Sequence, residues 1–188
     1  MVADPRRYAI FDTPIGVCAV VWGPRGLQHF LLPESSEARL RARLGRDVGG
    51  ALPGRPPAAI RTAMELVRRH LGGAPQDLTG VPIDLTGVGP FARRVYRALR
   101  LVPPGRTVTY GELARRVGSP GAARAVGQAM ARNPLGLVVP CHRVLCSSGR
   151  PGGFSGAGGV RLKAALLALE GVTLGSQARR ESVVARYS

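Results

Sequence analysis

The chain has 188 residues, 45% of them hydrophobic, enough for one or two small packed domains and too many for disorder throughout. No apolar run reaches the roughly 18 residues of a membrane span, and Met1–Arg7 lacks the apolar stretch of a secretory leader. Cys18, Cys141 and Cys146 are too few and oddly numbered for a disulfide framework, so the expectation is a cytoplasmic protein with reduced thiols, nucleoid-associated if prokaryotic. The net charge of +16 is lopsided: residues 1–88 hold 11 basic and 8 acidic side chains, residues 89–188 hold 16 and 3. Such a field attracts polyanions, of which nucleic acid is the commonest. Lys163 is the only lysine, a compositional habit that explains arginine over lysine but not the scarcity of acids.

The first third reads as sheet. Tyr8–Phe11, Val17–Trp22 and Leu27–Leu32 are short β-branched and aromatic runs, separated by turn signals at Thr13–Gly16 and Gly23–Gly26. A three-stranded antiparallel meander is the simplest arrangement. Glu37–Arg46 predicts a short helix and Gly49–Pro57 a loop. Ala58–Leu71 predicts an amphipathic helix with Ile60, Met64, Val67 and Leu71 inward. Residues 72–88, rich in Gly and Pro, read as the connection between two domains, 1–88 and 89–188.

The second half opens with a helix from Gly89, with Phe91, Val95, Ala98, Leu99 and Val102 on one face and Arg93, Arg94, Arg97 and Arg100 opposite. Thr109–Gly118 predicts a short helix closed by glycine. Ser119-Pro120 offers an N-cap and first-turn proline for a longer helix to about Asn133. Short helix, tight turn and longer helix make a helix-turn-helix pattern. Ala123, Val126, Gly127 and Met130 share the inward face of the second helix. Arg124, Gln128 and Arg132 lie outward, spaced by Ala125 and Ala131. Small residues between long polar ones suit close approach to a nucleic-acid groove, the narrow minor groove included; tight packing on a neighbouring helix is the alternative.

Leu135–Val139 reads as a buried strand-like run that delivers Pro140-Cys141-His142-Arg143-Val144. A thiol is mostly protonated at neutral pH, and a neighbouring base or cation raises its thiolate fraction. His142 and Arg143 are the candidates, with His142 acting through a water, while a purely structural Cys-His pair stays open. Zinc is a poor fit, since Cys141, His142 and Cys146 lack a fourth ligand. The glycine-rich Gly152–Gly159 segment lacks a phosphate-loop fingerprint and reads equally well as a pocket wall with Phe154 as its aromatic face. A last helix, Val160–Glu170, points Leu162, Ala165, Leu166 and Leu169 to a core. Glu170 at its C-terminal end gains nothing from the helix dipole, which hints at another partner such as His142.

Pro140-Cys141-His142-Arg143-Val144, with Tyr110–Ala114, Ala122–Gly127, Asn133-Pro134 and Lys163…Leu166-Leu167…Glu170-Gly171, resembles the O6-alkylguanine-DNA alkyltransferases from about Gly89 to Gly171. The resemblance implies an α+β protein: a small ribonuclease-H-like N-terminal antiparallel sheet domain and a mostly helical, winged helix-turn-helix-like C-terminal domain. It implies repair of O6-alkylguanine, with O4-alkylthymine left open, in double-stranded DNA bound through the minor groove with the damaged nucleotide flipped out. Cys141 would take the alkyl group once and irreversibly, His142 would relay its proton through water, and Glu170 would orient His142. Tyr110 would help turn the nucleotide and protonate the leaving base. Arg124 would fill the vacated stack, flanked by Ala123, Gln128 and Arg132. Asn133, Val144, Phe154, Ser155, Met130 and Lys163 would form the pocket, Asn133 also tying the recognition helix to the active-site loop, with the carbonyls of Cys141 and Val144 and the N–H of Ser155 reading the base. No cofactor, metal or membrane is implied. A monomer is expected, with clustering along DNA left open.

The segment from Phe154 to Glu170 is about two residues longer than in well-known relatives, Phe154 replaces the commoner tyrosine, and Ala92 and Ala165 replace larger residues. Cys18 on a strand is most simply a core residue. A non-catalytic helix-turn-helix lesion sensor or regulator, and a Cys-His hydrolase, remain the competing readings.

Overall fold

The computed structural model describes residues 6–174. Strands β1 (Arg7–Thr13), β2 (Gly16–Gly23) and β3 (Gly26–Leu31) form the expected antiparallel meander. Helix α1 (Glu37–Asp47) follows, its first turn capped by the Ser36 hydroxyl, which accepts from the Arg39 N–H. Leu52–Pro53, within the stretch read as a loop, is a two-residue strand β4 that pairs in parallel with β1. So brief a pairing leaves no periodic signature in the sequence.

Strand β2 is central and buried on both faces, which is why Val17–Trp22 lacks polar alternation. Ala19 and Val21 meet Leu40 and Leu44 of α1 on one side. Cys18, Val20 and Trp22 join Ile60, Ala63, Met64, Val67 and Leu71 of α2 (Ala58–Leu71) in the main core on the other. Cys18 is a core residue, its thiol pushed up to about 12 by burial despite a contact with the Thr13 hydroxyl.

The edge of β3 holds two distant segments. Leu27 N–H donates to Pro82 O at 2.9 Å, and Leu27 O accepts from Asp84 N–H at 2.8 Å, so part of the connecting stretch lies along the sheet. The approach requires glycine at 26: a Cβ there would lie 2.6 Å from Pro82 O. Farther along, Phe30 N–H donates to Pro134 O at 2.8 Å, which ties the sheet to the segment leading to Cys141.

Helix α3 (Pro90–Arg100) buries Val95, Tyr96 and Leu99. Arg100, expected on the outer face, turns back and donates to the carbonyls of Leu78, Thr79 and Val81. Helix α4 (Tyr110–Arg116) starts at a capping box in which Thr109 and Glu112 satisfy each other's backbone N–H groups. Helix α5 (Ala123–Ala131) begins later than expected. Ser119-Pro120 does not cap it, because Gly121 at φ 86° makes the intervening residues a turn and Ala122 becomes the N-cap. The buried Tyr96 hydroxyl donates to Ala129 O at 2.8 Å, anchoring α5 on α3. Strand β5 (Val108–Thr109), immediately before α4, pairs in parallel with β6 (Val144–Leu145). Helix α6 (Gly159–Leu169) closes the described chain. Among the described residues no helix is long and apolar enough to cross a membrane. The basic tail carrying Arg179-Arg180 lies outside the described residues.

Asp84 secures the connecting stretch. Burial raises its carboxyl pKa, but hydrogen bonds from Thr86 and Gln28 and the charge of Arg25 outweigh that and hold it at about 2. A depressed carboxylate contributes stability above its unfolded value and loses it as pH falls through the folded one. Asp84→Asn should therefore lower stability by about 1–3 kcal/mol at pH 7. The gap between variant and parent should close as thermal melts are taken down toward pH 2.

Candidate active site

The run before Cys141 is not a strand. Leu135 bridges to Phe30, and then Val138 N–H donates to Gly136 O at 2.8 Å, closing a γ-turn around Leu137 at φ 66°. Cys141 N–H donates to Val139 O at 2.8 Å around Pro140, a second three-residue turn. Apolar content marked the segment as buried; burial alone does not distinguish a strand from a folded loop. Asn133 clips the loop from within: its Oδ1 accepts from Leu135 N–H at 3.0 Å and its Nδ2 donates to Val139 O at 2.8 Å.

Cys141 opens a 3-10 turn, Cys141–Arg143, all three residues buried. Its side chain faces a cavity of about 340 Å³ lined by Tyr110, Gly127, Met130, Ala131, Gly153, Phe154 and Ser155. Four elements therefore supply the wall: the start of α4, the inner face of α5, the cysteine turn and the glycine-rich loop. The β5–β6 pairing places Tyr110 beside the cysteine turn, since each strand abuts one of them. Burial pushes the Cys141 thiol up, while Asn133, the Lys163 charge and nearby backbone N–H groups draw it partly back. The resting sulfur is a neutral thiol, not the readily ionised one expected of a Cys-His-Arg neighbourhood.

Glu170, the C-cap of α6, is buried with three nitrogen-bearing side chains around it. His142 Nε2 lies 2.9 Å and Arg143 Nη2 2.7 Å from its Oε1, and Arg143 Nε lies 3.0 Å from its Oε2. Arg143 also donates to Val102 O at 2.5 Å. It is thus directed to the carboxylate, not to the thiol as its sequence position suggested. His70 of α2, absent from the expected site, brings Nε2 to 3.0 Å from Oε1 without hydrogen-bond alignment. Burial raises the Glu170 carboxyl, but hydrogen bonds from His142 and Arg143 and the close approach of His70 hold it far below the carboxylate range. Burial lowers His142, outweighing the pull of Glu170, so its ring is neutral. A neutral ring that donates from Nε2 keeps its lone pair on Nδ1, and Nδ1 is buried without a hydrogen-bond partner among the described residues. His70, His142 and Glu170 also bring three metal-donor atoms within 4.8 Å of one another. The Arg143 guanidinium on the same carboxylate oxygen stands where a metal cation would be repelled.

Helix α6 buries Lys163, Leu166, Leu167 and Glu170, not the expected Leu162-Ala165-Leu166-Leu169 face; Ala165 is exposed. The inward stripe has helical spacing but charged ends, so an apolar pattern misses it. Lys163 Nζ donates to Val144 O at 2.5 Å and to Pro151 O, joining β6 to the glycine-rich loop. Burial lowers its ammonium to about 8. Lys163, Val144 and Asn133, expected in the pocket, stand behind its wall: the lysine head is engaged by carbonyls, Val144 is fully buried, and Asn133 holds the loop. On the outer side of α5, Arg124, Gln128 and Arg132 are exposed, while Ala123 is half-buried.

Residues 90–172 match the family described as 6-O-methylguanine DNA methyltransferase, DNA binding domain. A methylated-DNA–protein-cysteine methyltransferase of Methanothermobacter thermautotrophicus is 37% identical over 164 residues, 87% of this chain and 85% of the relative. The chain belongs to the methylated-DNA–protein-cysteine methyltransferase family. The structure of Mycobacterium tuberculosis OGT in complex with DNA is similar at TM-score 0.68 and 34% identity, covering 88% of this chain and 93% of that one. The O6-methylguanine-DNA methyltransferase of Pyrococcus kodakaraensis is similar at TM-score 0.65 and 27% identity, over 89% and 99%. The α+β expectation holds for this family member.

Gly152, at φ 66°, lets the glycine-rich loop close over Tyr110: a Cβ there would lie 3.1 Å from the Tyr110 hydroxyl and 3.2 Å from Cys146 Sγ. Gly152→Ala should cost about 1–2 kcal/mol in backbone strain. It should also slow alkylation of Cys141 by a small benzylating guanine more than melting temperature alone accounts for, because the displaced neighbour is the cavity wall.

Proposed function

We propose that this protein repairs alkylated DNA by moving an alkyl group from O6 of a guanine, flipped out of the duplex, onto Cys141. The observation that carries the reading is the buried sulfur at the wall of a cavity whose other side is the inner face of α5. The outer face of that helix would enter the minor groove, where Ala125 allows close approach and the exposed Ala131 forms the rim between groove and cavity. Arg124 would occupy the place left by the flipped base, with Ala123, Gln128 and Arg132 alongside. The relative solved with DNA supports this partner. The exposed Arg93, Arg94, Arg97, Arg115 and Arg116 would add a phosphate-seeking field, whereas Arg100, Arg143 and Lys163 are spent inside the fold. One cavity and one sulfur serve one base, which suits a monomer.

The chemistry follows from the neutral pair. With Nε2–H held on Glu170, His142 Nδ1 accepts the thiol proton through one water, and Glu170 offsets the resulting imidazolium charge. The thiolate displaces guanine at the O6-linked carbon: the S–C bond forms, the C–O bond breaks, and its electron pair goes to the base. Burial raises the Tyr110 phenol, as do the neighbouring cysteines, so it is protonated when the base arrives. It would give its proton to the departing base, and the proton taken up by His142 would replace it through solvent. Neutral guanine leaves, and the thioether cannot be undone, so each molecule reacts once. Phe154, Ser155 and Met130 would hold the base. Lys163, Val144 and Asn133 would keep the wall in place from behind.

Incubation with duplex DNA carrying labelled O6-methylguanine should place one label per protein on Cys141, and Cys141→Ala should abolish it. Binding without transfer would favour a lesion sensor, and repeated turnover a hydrolase. Arg124→Ala should slow repair of duplex DNA at least tenfold, yet leave reaction with free O6-benzylguanine within about twofold, since only the duplex needs its vacancy filled. Because the proton acceptor His142 is lowered from 6.5, its neutral form persists on acidification. Stopped-time alkylation should thus hold level from pH 7 down through 6.5 and fall only below it.

A further inference from the structure

We propose that His70, on α2 of the N-terminal half, is a positioning residue for alkyl transfer that shares Glu170 Oε1 with His142 and so limits how firmly Glu170 supports a protonated His142. The proposal rests on the alkyl-transfer reading of Cys141 and adds to it a contribution from outside the segment that matches the DNA-binding family.

The tautomer of His70 is set locally. His70 Nδ1 meets both Gln76 N–H, at 3.1 Å, and Gln76 O, at 3.4 Å; the shorter contact is the one in which Nδ1 accepts, which leaves the ring proton on Nε2. That nitrogen lies 3.0 Å from Glu170 Oε1, and the imidazole is fully buried. The same oxygen is approached by His142 Nε2 at 2.9 Å and by Arg143 at 2.7 Å. One carboxylate oxygen thus faces four N–H groups, two of them from Arg143, more than its lone pairs can serve in good alignment, and His70 is the one out of line. The Arg143 charge already neutralises Glu170. When His142 takes the thiol proton, its new charge leans on that shared oxygen, and whatever share His70 holds is withheld from it. The charged and titratable groups facing His70 are Glu170 from α6 and His142 and Arg143 from the cysteine turn.

Removing the N–H while keeping the ring, in His70→Phe, should free Oε1 for His142. The acid limb of Cys141 alkylation by free O6-benzylguanine should then move to higher pH by about half a unit, roughly threefold in rate on that limb. His70→Gln, which can place an amide N–H where Nε2 stands, should restore the parental limb. A purely structural role would shift neither limb, or shift both alike with the melting temperature, and either result overturns the proposal. Nitrogen-15 imidazole spectra of the unmodified protein give a reading independent of activity and of variant folding. They should show His70 protonated at Nε2 and bare at Nδ1; the opposite tautomer overturns the proposal. If the parent protein transfers no alkyl group, the function reading fails, while the spectra still decide the placement of the His70 proton.

Discussion

A carboxylate buried away from water must be met by enough donors to replace its lost hydration, and Glu170 is that group here. Arg143 meets it with charge and geometry, and His142 and His70 complete its surroundings. These partners come from α2 and from the cysteine turn, Glu170 itself ends α6, and Arg143 also reaches the carbonyl of Val102 just after α3. One anion therefore sets the mutual placement of elements from both halves of the chain. Its cost if left unpaired would be several kcal/mol, which is why its partners are held so closely.

The same compensation sets the resting chemistry. Because Arg143 answers the charge of Glu170, His142 need not be protonated, and burial keeps it neutral. Burial also keeps Cys141 a thiol. A neutral thiol beside a neutral imidazole is a quiet arrangement, protected from stray electrophiles and oxidants that act on thiolates. On the alkyl-transfer reading, charge separation happens only when an alkylated base fills the cavity and supplies the electrophile.

The wall of that cavity is built by indirect means. The β5–β6 pairing brings the first residue of α4 to the cysteine turn, Lys163 joins the turn to the glycine-rich loop, and Asn133 braces the loop before the turn. The sheet contributes through Phe30, whose backbone holds Pro134. Of the three side chains assigned to the pocket but found behind it, Asn133 and Lys163 fix backbone that the cavity needs, and Val144 packs in the core beneath it.

What the sequence by itself determined was local. The meander, α1, α2 and α3 were legible because hydrophobic period, turn residues and helix ends are properties of neighbouring residues, and the Pro-Cys-His-Arg run marked the reactive centre. The displaced start of α5, the two γ-turns before Cys141 and the rotated face of α6 were not legible. A left-handed Gly121, a strained Leu137 and a stripe of Lys163, Leu166, Leu167 and Glu170 are decided by what packs against them. Only the tertiary structure could place His70 beside Glu170, 100 residues away, or turn Arg143 from the thiol to the carboxylate. Sequence spacing carries no information about which distant side chain a buried charge will find; folding settles that, because the charge cannot stay buried without one.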